Sequence, residues 1–233
     1  MKRFAIIALF LAAGLALDAL AATPQRITAT YSLARNAQHM ADITETFVQS
    51  KGKYQIESVT RAVGIFRVLT GESIRLISRG DVTKTGLRPT HFEHHRGARV
   101  DKKIIADFDW AQRQATFVYD GKTETASIPV GLQDRISLMY QFMFLSLKNP
   151  SFKFDMSNGR GVTQYEYERV GDEQFATQAG TFETLHLSRK RAPGDDGTEV
   201  WLARDKFQLP VKVVIQDDKG VRMEQVLTKL SIQ

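Results

Sequence analysis

Ile128-Pro-Val-Gly-Leu-Gln-Asp-Arg-Ile-Ser-Leu-Met-Tyr-Gln-Phe-Met-Phe144 decides the architecture of this chain, because its apolar residues recur at helical spacing amid segments that alternate. Leu132, Ile136, Met139, Tyr140, Met143 and Leu147 follow the i, i+3, i+4, i+7 pattern of one helix face. Gly131 precedes the run, Asp134 complements the helix dipole in the first turn, and Lys148-Asn149-Pro150 supplies a stop. The spacing predicts a helix over 132–147, a rod of ~24 Å. Leu138, Phe142 and Leu145 fall opposite Ile136, Tyr140 and Leu147, which leaves Gln133, Asp134, Ser137 and Gln141 as one narrow polar stripe. A helix so apolar is expected to be buried on most of its circumference.

Outward from it, the sequence alternates with period 2. In Ile27-Thr-Ala-Thr-Tyr-Ser-Leu33, residues 27, 29, 31 and 33 share one side, the mark of a half-buried strand. Strands are predicted at 27–35, 39–49, 54–62, 72–79, 88–96, 100–108, 113–119, 122–128, 152–156, 162–169, 182–190, 198–203, 210–216 and 221–230. Turn signals separate them, among them Arg35-Asn-Ala37, Lys51-Gly52, Asp120-Gly121 and Asn158-Gly159. Short turns imply antiparallel pairing, and a sheet of that many strands must curl, close or fold into layers. The expected fold is mainly β: a strongly curved antiparallel sheet, an open or spiral barrel, with one long buried helix near residues 132–147 inside its concave face or across its mouth.

The chain opens Met1-Lys-Arg, continues with an apolar run from Phe4 to Leu17, and carries Ala19 and Ala21 at the −3 and −1 positions of a cleavage site. Residues 1–21 therefore read as a signal peptide cleaved after Ala21, and 22–233 as a single β-rich exported domain, periplasmic in location. The apolar run is shorter than the ~20 residues that span a bilayer, so no integral membrane segment is expected after cleavage. There is no cysteine, hence no disulfide and no lipid-modified cysteine. Removing Lys2 and Arg3 from the 32 basic residues and Asp18 from the 26 acidic leaves a surplus of about +5. For an exported protein this points away from nucleic acid, toward anionic envelope material or simple solubility.

Motifs that could carry chemistry are few. In His91-Phe-Glu-His-His95 the first and last histidines lie ~13 Å apart on a strand and cannot share one ion, so neither a metal nor another cofactor is expected. Lys84, Arg88, Arg96, Arg99, Lys102 and Lys103 make this region basic, suited to an anionic surface or to guarding a sheet edge. Ser50-Lys-Gly-Lys53 and Lys84-Thr-Gly86 match penicillin-binding motifs in the wrong context, a turn between strands. Asp107 and Asp109 share a strand side, which leaves room for a glycan hydrolase without marking one.

Gly86-Leu-Arg-Pro-Thr-His-Phe92, Ala106-Asp-Phe-Asp-Trp110, Leu132-Gln-Asp-Arg-Ile-Ser137 with Tyr140-Gln-Phe142, and Trp201-Leu-Ala203 followed by Leu209-Pro-Val211 together resemble bacterial exported proteins catalogued as domain of unknown function 3108. The likeness covers essentially the whole exported chain; the family has no assigned activity and implies no catalytic residues. The closing Trp strand and Leu-Pro-Val strand are also similar to periplasmic lipoprotein carriers of the LolA type, whose curved sheets take up acyl chains under a helical lid. A shared fold does not establish a shared function.

The sequence thus points to a non-enzymatic envelope protein that binds an apolar or amphipathic component, such as a lipid, in the concavity of its sheet. Candidate lining residues are Phe66, Trp110, Met139, Tyr140, Met143, Phe144 and Trp201, chosen because methionines adapt and aromatic rings offer area with a polar handle. Gln133, Asp134 and Ser137 are the polar residues of the family motif. Two other classes stay open: a scaffold that binds an envelope protein or acidic polysaccharide, and a cell-wall glycan hydrolase. The oligomeric state is not legible.

Overall fold

The computed structural model describes residues 23–70, 73–97, 103–191 and 196–233; the signal-peptide reading of 1–21, with Arg99 and Lys102, lies outside them. Fifteen strands form one sheet: β1 (Arg26–Arg35), β2 (Gln38–Ser50), β3 (Lys53–Ala62), β4 (Ser73–Thr83), β5 (Gly86–Arg96), β6 (Ile104–Asp109), β7 (Gln114–Tyr119), β8 (Lys122–Ser127), β9 (Gln133–Asp134), β10 (Ser151–Ser157), β11 (Val162–Thr177), β12 (Gly180–Arg189), β13 (Gly197–Ala203), β14 (Leu209–Gln216) and β15 (Arg222–Ile232). Helix α1 (Gly64–Thr70) links β3 to β4, and α2 (Ser137–Gln141) runs into a 3-10 turn, Phe142–Phe144. The order is β8-β7-β6-β5-β4-β3-β2-β1-β15-β14-β13-β12-β11-β10-β9, antiparallel throughout except for β9 beside β10. The hairpin dipeptides do what their chemistry requires: Asn36, Ala37, Lys51, Gly52, Asp120 and Gly121 all have positive φ.

The sheet is unclosed but strongly curled. Phe117 of β7 and Leu209 of β14 lie eight places apart in the strand order, ~38 Å on a flat sheet at the usual strand spacing, yet they belong to one buried cluster with Ile27, Phe47, Phe92 and Ile136. A second cluster gathers Phe152, Phe154, Tyr167, Leu185, Leu187, Val200 and Leu202 of β10 to β13.

Between the two clusters runs the opening segment, and here the sequence reading needs correction. A long helix over 132–147 does not form. Gln133 and Asp134 instead extend as β9 beside Met156 and Ser157 of β10. One Asp134 carboxylate oxygen accepts the N–H groups of Ile136 and Ser137, at 3.0 and 2.8 Å, an Asx arrangement that competes with helix for the same donors. Helix begins only at Ser137, and Leu145 has left it, with φ −105° and ψ 144°. What survives is the burial expected of its apolar circumference. Ile136 and Tyr140 pack on the first cluster, Leu138 and Phe142 on the second, and Met139 touches both. Leu147, expected beside Tyr140, packs on the second cluster because the extended backbone at Leu145 turns it over.

The two ends of the sheet meet through side chains. The turn after β10 brings Gly159, at φ +88°, against Ile104 of β6 and Phe92 of β5, where an added Cβ would lie 2.6 Å from the Ile104 methyl. Arg160 reaches Asp120, at the β7–β8 turn, at 2.8 Å and lies over the Tyr119 ring. Gly159→Ala is expected to lower stability by about 1–3 kcal/mol through overlap and backbone strain, read as a reduced unfolding midpoint by circular dichroism.

Candidate functional site

The site is built on an incomplete edge. β5 pairs with β6 over only His91 to His94, so residues 86–89 extend past their neighbour and would leave backbone groups unpaired. The strap 131–147 answers them with side chains. Gln141 Oε1 accepts the Leu87 N–H at 2.8 Å, and Gln133 Nε2 donates to the Leu87 carbonyl at 2.8 Å. Gln141 Nε2 also donates to the Thr85 carbonyl at 2.9 Å. Further along, Pro89 has no N–H to satisfy, and its carbonyl takes the Trp110 indole N–H at 2.6 Å. Gly86, at φ +117°, lies so close to the Gln141 amide that any Cβ would collide with it. The motifs 86–92, 106–110, 132–137 and 140–142 are therefore two sides of one contact.

Deeper in, Asp134 is fully buried. Its second oxygen accepts the Ser78 hydroxyl of β4, which is itself bonded to the Tyr54 hydroxyl at 2.9 Å. Ser137 Oγ accepts the Asp134 N–H at 2.9 Å. Burial pushes the Asp134 carboxyl up to about 6, against hydrogen bonds from Ser137, Ser78 and Ile136 that favour the ionised form. Of the four polar strap residues, only Gln133 Oε1 is left without a partner. The strap is thus a fixed wall. Its five sealed apolar residues, Leu132, Ile136, Leu138, Tyr140 and Phe142, are each worth about 2 kcal/mol of burial, together comparable to a domain's whole net stability.

Glu45, which the sequence reading passed over, faces this interior. Its oxygens accept from the hydroxyls of Tyr140, at 3.2 Å, and Ser58, at 3.3 Å. Burial lifts it to about 7, opposed by those two bonds. The signal was present: Ile43, Glu45 and Phe47 share one side of β2, and a carboxylate between two buried apolar residues has to find partners.

The candidate lining residues are only partly brought together. Tyr140 is sealed, stacked on Phe47 at 5.4 Å between ring centroids. Met139, Met143, Phe144 and Trp110 are half-buried against the first cluster. Phe66 is on α1, which links β3 to β4. Trp201 lies across β13 from Val200 and Leu202; its ring stacks on His186 at 4.0 Å, with the Lys212 ammonium 4.6 Å from its centre.

His91 and His95 share a carboxylate partner on their own strand. Both donate to the Glu93 carboxylate, at 2.8 and 2.6 Å, joined by Lys103 at 3.0 Å. Partial burial would raise Glu93, but the hydrogen bonds from His91, Lys103 and His95 outweigh it and hold the carboxyl well below its usual range. No group of three or more metal-ligating side chains occurs among the described residues. Asp107 is tied to His91 at 2.6 Å and Asp109 accepts the Gln112 N–H, so the two aspartates do not form a facing pair.

A family model described as "Protein of unknown function (DUF3108)" matches residues 27–226. Among solved structures, the chain is similar to a β-barrel-like protein of domain of unknown function DUF1849 from Brucella abortus. That likeness has 12% identity and a TM-score of 0.59, over 91% of this chain and 99% of that one. A protein of YmcC-like fold from Bacteroides fragilis, described as exported, aligns at 10% identity and TM-score 0.34 over 90% of this chain and 96% of that one. The first of these bears on the fold alone, and the second is too distant to carry an argument. No curated protein matches.

Two outcomes follow from the strap. Asp134→Ala, which strands two buried N–H groups and the Ser78 hydroxyl, is expected to cost about 3–5 kcal/mol in urea unfolding, whereas Asp134→Asn keeps an acceptor and costs less. Glu45 holds its proton to higher pH in the folded chain than in the unfolded one. Its contribution is therefore most favourable below the unfolded value near 4 and is lost as pH rises through about 7. Burial and neighbouring arginines push His94 down to about 4, and it acts in the opposite sense, so the readout is the difference between Glu45→Gln and the parent. That difference is expected to favour the variant by about 1–2 kcal/mol more at pH 8 than at pH 5, since Glu45 is only half-buried.

Proposed function

The chain belongs to the DUF3108 family of unknown function, and from that premise we propose that it is a non-catalytic exported protein of the cell envelope. In this reading it binds an apolar or amphipathic envelope component at the mouth of its curled sheet. The observation that carries it is that Met139, Met143 and Phe144 of the strap, with Trp110, are only half-buried on the first cluster while Gln133 and Gln141 pin the strap to β5; these four are taken as the rim. Adaptable thioethers and rings on a rigid base suit a ligand of variable apolar shape. Because the strap fills the hollow, the ligand's apolar part is placed on this rim rather than in an open cavity. Phe66, on α1, and Trp201, in a different cluster, would meet it only as outlying contacts. The signal-peptide pattern at 1–21 and the domain reading of 22–233 agree with export, and no helix among the described residues is long and apolar enough to cross a membrane.

A second reading rests on a different feature. β8 pairs with β7 alone and is exposed along nearly its whole length, a free edge on which a partner protein could add a strand. Native mass spectrometry of protein purified from the periplasm without detergent, followed by lipid extraction, separates the two. An acyl-bearing adduct, reduced by Met143→Ser with Phe144→Ser at unchanged circular dichroism, is the expected result. If no ligand co-purifies and added acyl compounds fail to bind, the rim reading is lost.

A further inference from the structure

Where the two ends of the sheet meet, a cavity of about 400 Å³ opens between β5, β6 and the turns after β7, β9 and β10. His94 and Arg96 of β5, Arg135 beside the strap's buried Asp134, and Asn158 and Arg160 of the β10–β11 turn line it, with Ile104 as its apolar wall. Its one carboxylate, Asp120, is engaged by Arg160. Among the described residues neither Arg96 nor Arg135 forms an ion pair, although the adjacent buried Asp134 carboxylate favours the charged form of Arg135. Among the described lining residues three guanidinium groups stand against the one carboxylate of Asp120, a local surplus of positive charge. The His94 ring registers that field: burial first, then Arg135, Arg96, its neighbour His95, and Arg160 all disfavour its protonation. Its Nε2 is buried and has no hydrogen-bond partner among the described residues. The backbone that carries two of the arginines is fixed: the main-chain N–H of Arg135 donates to the Ser157 carbonyl at 3.1 Å, and the main-chain N–H of Arg160 to Asn158 Oδ1 at 2.9 Å.

We propose that this seam cavity is a binding site for a phosphate-bearing ligand, its oxygens held by Arg96 and Arg135, with Arg160 shared between ligand and Asp120. Guanidinium forks match the paired oxygens of a phosphate, and the volume exceeds a bare phosphate, leaving room for the group that carries it. The site shares no residue with the strap's rim, so it stands or falls independently of the apolar reading. The phosphate could belong to a soluble phosphomonoester or to a lipid headgroup, and the probes separate these.

The test uses the full chain with glycerol 3-phosphate in calorimetry, and vesicles of phosphatidylcholine with or without phosphatidic acid in flotation. Binding of either probe is expected, together with a raised His94 pKa on adding glycerol 3-phosphate if the soluble ligand binds, followed by NMR of the imidazole resonances. Glycerol 3-phosphate alone binding assigns a soluble ligand; phosphatidic acid vesicles alone assign a headgroup. Arg96→Gln with Arg135→Gln is expected to weaken binding at least about tenfold, the loss due to charge-assisted hydrogen bonds. Asp120→Asn, which frees Arg160, is expected to tighten it, whereas a mere disturbance of the seam would weaken it. Binding of neither probe, equal binding by the double variant, or no gain from Asp120→Asn overturns the assignment.

Discussion

The strap inside this protein is positioned by the N–H and C=O of Leu87, which no neighbouring strand takes up. β6 stops short of them, and a buried backbone pair left open costs about 1–3 kcal/mol for each group. Two glutamine side chains from a distant part of the chain take the place of the missing strand. Once Gln133 and Gln141 are fixed eight residues apart on one strand's edge, the backbone between them has little freedom. It must deliver Asp134 to Ser78, turn into helix at Ser137, and set Tyr140 and Phe142 on opposite walls. Gly86 and Pro89 fit the same constraint, one by making room for an amide and the other by bringing no donor to an edge that has none to spare.

A second consequence concerns closure. A barrel closed by hydrogen bonds needs strand number, tilt and stagger to agree, and leaves no seam. Here the sheet curls until its ends touch but are not paired, so contact is made by Gly159 on Phe92 and Ile104 and by Arg160 with Asp120. The seam is where the chain can place His94, Arg96, Arg135 and Arg160 around a common space without disturbing the two apolar clusters.

Much of this was legible. Strand positions agree with the alternation to within a few residues for most elements, because period-2 burial and turn dipeptides are local properties of the chain. β11 and β4 run past their expected ends, since pairing with neighbouring strands extends a segment beyond where its own pattern fades. The burial of the strap's apolar residues was legible from their number, but its polar stripe was not: Gln133 and Asp134 lie on β9, and all four polar residues are buried. The helix was read too long because propensity and spacing say nothing of a carboxylate that captures two backbone donors and a glutamine that reaches another strand. Phe92, His94 and Arg96 lie on one side of β5, a pattern that looks like an apolar face fading into solvent; only folding shows that this face runs into a cavity.

The sequence by itself determined the mainly β character, the hairpin turns, the apolar nature of the strap, the basic surplus and the resemblance to a family of unknown function. Each depends on residue type and near-neighbour order, which short-range sterics and burial translate directly into local structure. Tertiary structure alone decided that the strap is a pinned wall rather than a helix, that Glu45 and Asp134 carry raised pKa values, and that three arginines converge at the seam. Those outcomes depend on which distant residues become neighbours when the sheet curls, and desolvation and hydrogen bonding act only after they have met.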